Sequence, residues 1–185
     1  MTSLDLLLHP VRLRIVHAFS GGRTRTTSEL CAHLPDVPKT TLYRHVGLLV
    51  EAGVLDVAAE QRVHGAVERH YRLHRDRAAI GTDTAASMSL DDHRRGFAAA
   101  MAALLAEFGG YLDRDGADPT DDQVGYRQGV LWLSQDELTD MIDALREVLV
   151  ARAANAPAPG RSPHLVSAVF FPIEEPPLPE ADCGP

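Results

Sequence analysis

Residues 38–73, PKTTLYRHVGLLVEAGVLDVAAEQRVHGAVERHYRL, decide the fold. Leu42, Val46, Leu49 and Val50 recur at the i, i+4, i+7, i+8 spacing of one buried helical stripe. Pro38 suits the start of that helix and Gly53 its end. Two strand-like runs follow, Leu55–Glu60 and Val67–Leu73, with His64 and Gly65 near the tip of the hairpin they predict. Immediately upstream, Thr26-Thr27-Ser28-Glu29 has capping-box spacing and opens a short helix burying Leu30 and Leu34. Pro35-Asp36-Val37-Pro38 is the turn between the two helices. Helix, turn, helix and hairpin in that order read as a winged helix-turn-helix, which makes sequence-specific binding of double-stranded DNA the leading expectation.

The buried stripe fixes which side chains of the second helix face outward. At 100° per residue, Thr40, Arg44, Gly47 and Glu51 point away from Leu42, Val46 and Leu49, with Thr41, Tyr43 and Leu48 flanking them. Lys39 stands at the N-terminal end, the part of a recognition helix that reaches bases or phosphates. Arg44 has the planar fork that matches guanine O6 and N7. Thr40 and Thr41 can bond phosphate or touch a thymine methyl, and Gly47 leaves room for close approach to the backbone. The same residues also suit an ordinary solvated face; their position beside a hairpin is what favours DNA. At the wing tip, Arg62 and His64 are candidates for the neighbouring minor groove. Arg69 and Arg72 read as backbone-facing or exposed, while Tyr71 and Leu73 should hold the wing on the helices.

Charge is divided along the chain. Residues 1–77 carry 11 basic and 8 acidic side chains, a balance of +3, and seven of the nine histidines. Residues 78–185 carry 7 basic and 18 acidic side chains, a balance of −11. Phosphate attraction is screened within about 10 Å at ordinary salt, so local positive potential matters more than the net charge. The basic half coincides with the helix-turn-helix half. Length and a 45% hydrophobic composition suit a globular protein with one large or two small domains. No apolar run approaches the length of a membrane span, and no basic-then-apolar leader opens the chain, so a cytoplasmic location is expected. Cys31 and Cys183 offer no disulfide framework.

Outward from this centre, LDLLLHPVRLRIVHAF places Leu4, Leu7, Leu8, Val11, Ile15, Ala18 and Phe19 on one helical face and predicts a short lead-in and then a helix from about Pro10 to Phe19, with Gly21-Gly22 as its stop. A mixed linker over 76–88 leads to a second capping box, Ser89 to Asp92. The long helix it opens carries Phe97, Met101, Leu104, Leu105 and Phe108 at heptad-like spacing, the candidate dimerisation surface, with an intramolecular core against the unit at 124–171 as the rival or additional use of the stripe. Val124–Leu133 reads as a strand, Ser134–Ala153 as a helix with a third capping box, and Leu165–Phe171 as a strand. Tyr126, Trp132, Phe170 and Phe171 would form either the core of this strand-helix-strand unit or the wall of an effector pocket. The expected organisation is 1–77 for DNA binding, 78–172 for dimerisation and effector response, and 173–185 as a disordered tail. The fold class is α+β, mainly helical.

LLHPVRLRIVHAF, SELCAHL and TTLYRHVGLLVEAGVL with its wing resemble the ArsR-type winged-helix transcription regulators, in particular the metal-independent ones, over about residues 4 to 75. The resemblance implies a homodimer on a palindromic or pseudo-palindromic operator, and repression relieved by a signal. It also implies recognition-helix roles for Lys39, Thr40, Thr41, Tyr43, Arg44 and His45. The metal-sensing relatives carry two cysteines around the position of Cys31, where this chain has Cys31-Ala32-His33. A closed zinc site needs about four ligands and none is supplied nearby, so Cys31 reads as a core residue and no metal or cofactor is expected. The remaining histidines read as scattered rather than clustered.

Enzyme motifs are missing: there is no glycine-rich phosphate loop, nucleophile elbow or His-Glu-x-x-His, and Asp91-Asp92 and Asp121-Asp122 suit capping or solvation. The expectation is a homodimeric repressor released by an unidentified signal, whose recognition helices, about 34 Å apart, enter successive major grooves; a small-molecule effector or a partner at the acidic half could alter that separation. The alternative is a winged-helix protein-interaction module whose acidic half binds a protein partner.

Overall fold

The computed structural model describes residues 6–63, 66–78 and 82–174. Helix α1 spans Pro10–Ala18, with Pro10 in its first turn and the His9 ring accepting from the Val11 amide as N-cap. Strand β1, Thr24–Thr26, leads into α2, Thr27–His33, and then α3, Lys39–Glu51. Strands β2, Leu55–Val63, and β3, Ala66–Leu73, make the wing. The long helix α5 covers Leu90–Leu112, after a short α4 at Thr82–Ala86, and α6 covers Gln135–Ala153. All three capping boxes form: Thr26 with Glu29, Ser89 with Asp92 and Ser134 with Glu137. Each satisfies two amides that the helix itself leaves unpaired.

The sheet is antiparallel in the order β1-β3-β2, with Leu55 opposite Leu73 and Thr24 opposite Arg72. The third strand, β1, is not predicted from the sequence, because three polar residues, Thr24-Arg25-Thr26, are too few to show an apolar alternation. Its pairing anchors the wing's return strand to the segment that opens α2. The core is continuous: Ile15 and Phe19 of α1, Leu30 and Leu34 of α2, Leu42 and Leu49 of α3, and Val54 and Leu55 at the start of the wing are all fully buried together. Tyr71 and Leu73 pack against it from β3, as the alternation along the strand predicts. Gly53 ends α3 with a φ of +67°, and a Cβ there would fall 2.1 Å from Nη1 of Arg77. The left-handed backbone is what calls for glycine here, since the Arg77 guanidinium is the end of an exposed, flexible side chain and can swing aside.

Helix α5 lies on α1 through small residues rather than through its large ones. Ala99 and Ala103 are its buried positions, and a Cβ on Gly96 would meet Leu8 at 3.0 Å. Leu90, Phe97, Leu105 and Leu112 consequently stay exposed, Leu105 at 73%.

Beyond α5 the structure departs from the sequence reading. Neither Val124–Leu133 nor Leu165–Phe171 is a strand. Each runs without regular structure along the outside of the chain, with Phe171 6.4 Å from Phe97 and Tyr126 5.9 Å from Phe108, ring to ring. Alternating apolar residues report a preference for extended backbone; a strand exists only where a neighbour completes the ladder. Here each segment sets one aromatic ring against α5 and forms no ladder. Helix α6 forms where expected but buries nothing, and the aromatics form neither a closed core nor a pocket: Trp132 is 76% exposed. The expected disordered tail lies outside the described residues from 175 onward.

Candidate nucleic-acid interface

Helix α3 presents Lys39, Thr40, Tyr43 and Arg44 to solvent, with Thr41 and Gly47 half-buried beside them. Tyr43 is 53% exposed, which a buried-core aromatic would not be. A Cβ on Gly47 would meet nothing within 4 Å, so the outer face is bare at its centre. No acidic side chain sits in the first turn of α3, and its N-cap residue, Pro38, makes no side-chain hydrogen bond. The end of the helix that carries Lys39 therefore keeps its partial positive charge.

Position 45 is a correction. His45 is 2% exposed and belongs to the buried side of α3 with Leu42, Val46 and Leu49. The spacing already held this answer, since 42, 45, 46 and 49 follow the same helical stripe. Its ring packs 4.6 Å from that of His9, tilted by 49°, so these two histidines form a pair rather than scattered polar residues. Burial first, then the charges of His9, Arg12 and Arg44, push the His45 pKa down to about 4. A neutral imidazole packed under the recognition helix supports that helix; it has no route to a base edge.

The wing stands beside α3. Arg62 is exposed near its tip, while His64 lies outside the described residues. Arg69 on β3 bonds Glu60 on β2 at 2.9 Å, and Arg72 is exposed. Between α3, the start of α2 and the wing runs an open groove of about 310 Å³, walled by Tyr43, Thr27, Ser28, Val67 and Tyr71, with Glu68 and Arg69 at its edge.

Under this face, α1 contributes two arginines that the reading of its apolar stripe passed over. Arg12 and Arg14 are both buried. Arg12 donates to the Leu6 carbonyl, and Arg14 bridges Asp36 and Glu107. Cys31 packs half-buried against the core. Among the described residues no three His, Cys, Asp or Glu side chains are grouped to hold a metal ion, and no helix is long and apolar enough to cross a membrane.

A family model described as a helix-turn-helix domain matches residues 7–58. The match runs from α1 through α2 and α3 and ends within β2, over the part of the chain that shares the continuous core. No curated protein matches the chain. The match and the fold together make residues 7–58 a helix-turn-helix domain, which supports a DNA-binding role in general.

Proposed function

We propose that the protein is a homodimeric, sequence-specific transcription regulator of the metal-independent ArsR type, a cytoplasmic repressor of a palindromic operator released by a signal. One observation carries the DNA part of this reading: the exposed face of α3, with Lys39, Thr40, Tyr43 and Arg44, lies beside a wing that carries Arg62. Arg44 is assigned to guanine, Thr40 and Thr41 to phosphate or a thymine methyl, and Arg62, with His64, to the flanking minor groove.

The dimer rests on α5. Leu90, Phe97, Leu105 and Leu112 recur at steps of seven or eight along one side of this helix, over about 33 Å at 1.5 Å per residue. Phe97, Met101, Leu104, Leu105 and Phe108 are its assigned dimer contacts. From Gly96 to Leu112 the single charged side chain is Glu107, which bonds Arg14 of its own chain. Four aromatics of the C-terminal half, together roughly two-thirds exposed, add on the order of 500 Å² of ring surface, taking about 200 Å² for each. A second copy is the occupant that also supplies the two-fold symmetry a palindrome requires. The exposed Trp132 and its neighbours are likewise what a protein-docking reading would use.

Fluorescence anisotropy on labelled DNA from upstream of the protein's own gene, against scrambled DNA across a salt series, tests the assignment. Preference for the native fragment, with log affinity falling by roughly 0.9 per contacted phosphate per unit of log salt, is the expected result. Equal affinity for both duplexes at every salt would reject operator recognition on that fragment and favour the docking reading.

A further inference from the structure

A single guanidinium joins three elements of this chain. The Arg14 side chain, 7% exposed, places Nη1 at 2.6 Å and Nη2 at 2.8 Å from the two carboxylate oxygens of Asp36. Its Nε lies 3.2 Å from Oε1 of Glu107. Arg14 belongs to α1, Asp36 to the turn that leads directly into α3, and Glu107 to α5. Hydrogen bonding to Arg14 holds the Asp36 carboxyl below the ordinary carboxylate range.

What surrounds this contact gives it its meaning. Elsewhere α5 lies against α1 with Ala99 and Ala103 as its buried positions, and Gly96 packs on Leu8 just ahead of α1. A contact between small apolar side chains is close but weakly directional, so on its own it leaves the helix free to slide or roll. The two-pronged Arg14–Asp36 contact fixes orientation as well as distance, and a lysine in its place would hold neither. The turn that sets the angle of α3 and the helix assigned to the dimer axis are therefore tied through one buried residue.

We propose that Arg14 is a positioning residue for operator recognition: by locking the Asp36 turn to α5 through Glu107, it sets the separation of the two recognition helices in the dimer. This rests on the homodimer reading. Arg14 itself touches no DNA; its effect is on which half-site spacing is accepted. A half-site taken alone should not sense the clamp, whereas a two-half-site operator should.

The test uses the full-length protein and duplexes bearing two inverted half-sites recovered from a randomised DNA pool. Their separation is varied in single base-pair steps around one helical turn, about 10 base pairs. Wild-type protein should show a sharp optimum. Asp36→Asn and Glu107→Gln each remove one arm while leaving Arg14 in place, and Asp36 is 58% exposed, so the first substitution leaves the core untouched. Each should keep single half-site affinity within about twofold, lose roughly tenfold at the best spacing, and flatten the spacing profile. Arg14→Lys should behave as Arg14→Gln does, because charge without the fork does not restore orientation. A variant profile parallel to the wild-type one, or an equal loss on single half-sites, overturns the positioning role while leaving the dimer in place. A wild-type profile that is flat in spacing removes the homodimer reading and the clamp's role with it.

Discussion

His45 sits between the recognition helix and α1 as an uncharged base, and acid should find it. Neither of its ring nitrogens has a hydrogen-bond partner among the described residues, and the charged groups facing it, His9, Arg12 and Arg44, are all cationic when protonated. Burial and these charges bring its pKa to about 4 in the folded chain, against about 6.5 for a free histidine. The unfolded chain therefore binds the proton more tightly, and stability rises with pH across this window. The contribution is fully present above about pH 6.5 and is lost as pH falls toward 4. At 1.36 kcal/mol per pKa unit, a fall from about pH 7 to about pH 5 removes roughly 1.8 kcal/mol through His45, and full protonation roughly 3.4 kcal/mol. His9 and His17 are also lowered by burial, so the wild-type chain should lose more than His45 accounts for. His45→Leu isolates the one residue, because it keeps an apolar volume at the same place and does not titrate. Urea unfolding followed by far-ultraviolet circular dichroism, at about pH 8 and about pH 5, gives the difference directly. The variant should be at least as stable as wild type at the higher pH, and should gain about 2 kcal/mol on it at the lower. If the gap between the two proteins is the same at both values, His45 is not buried as a neutral base and the placement of α3 on α1 is wrong.

Three further outcomes follow from the same geometry. Arg44→Ala should cost roughly 1–3 kcal/mol on the preferred operator and relax its sequence preference; unchanged affinity in anisotropy titrations would move the base-reading role off this residue. Leu49→Ala empties a fully buried site and should cost about 2–5 kcal/mol in chemical denaturation, whereas Tyr43→Ala on the exposed face should stay within about 0.5 kcal/mol. Leu105→Asp, on the 73%-exposed edge of α5, should convert the particle from dimer to monomer in light scattering without loss of helical signal. A dimer that survives this charge places the interface elsewhere.

Local chemistry made much of the N-terminal domain readable. Proline and glycine punctuation, the i, i+4, i+7 stripe of α3 and the capping-box pairs all act within a few residues, so α1, α2, α3 and the wing follow from the order of side chains. The face assigned to DNA was legible for the same reason: once Leu42, Val46 and Leu49 point inward, Arg44 cannot. The inward turn of His45 was equally available from its spacing, and a family resemblance placed it outward.

What tertiary structure decided are the properties that depend on a distant partner. Strand β1 exists because β3 arrives beside it, and the strand-like runs at 124–133 and 165–171 remain unpaired because nothing does. Arg14 reads as a polar interruption of an apolar stripe until the chain brings Asp36 and Glu107 to it, 22 and 93 residues away. On α5, periodicity identified an apolar helix but not which side α1 would take. Close approach favoured the Gly96, Ala99 and Ala103 side, and so turned the large residues outward. Periodicity and capping are short-range and are written in neighbouring residues, whereas ladders, ion-pair networks and helix faces are settled by which surfaces meet.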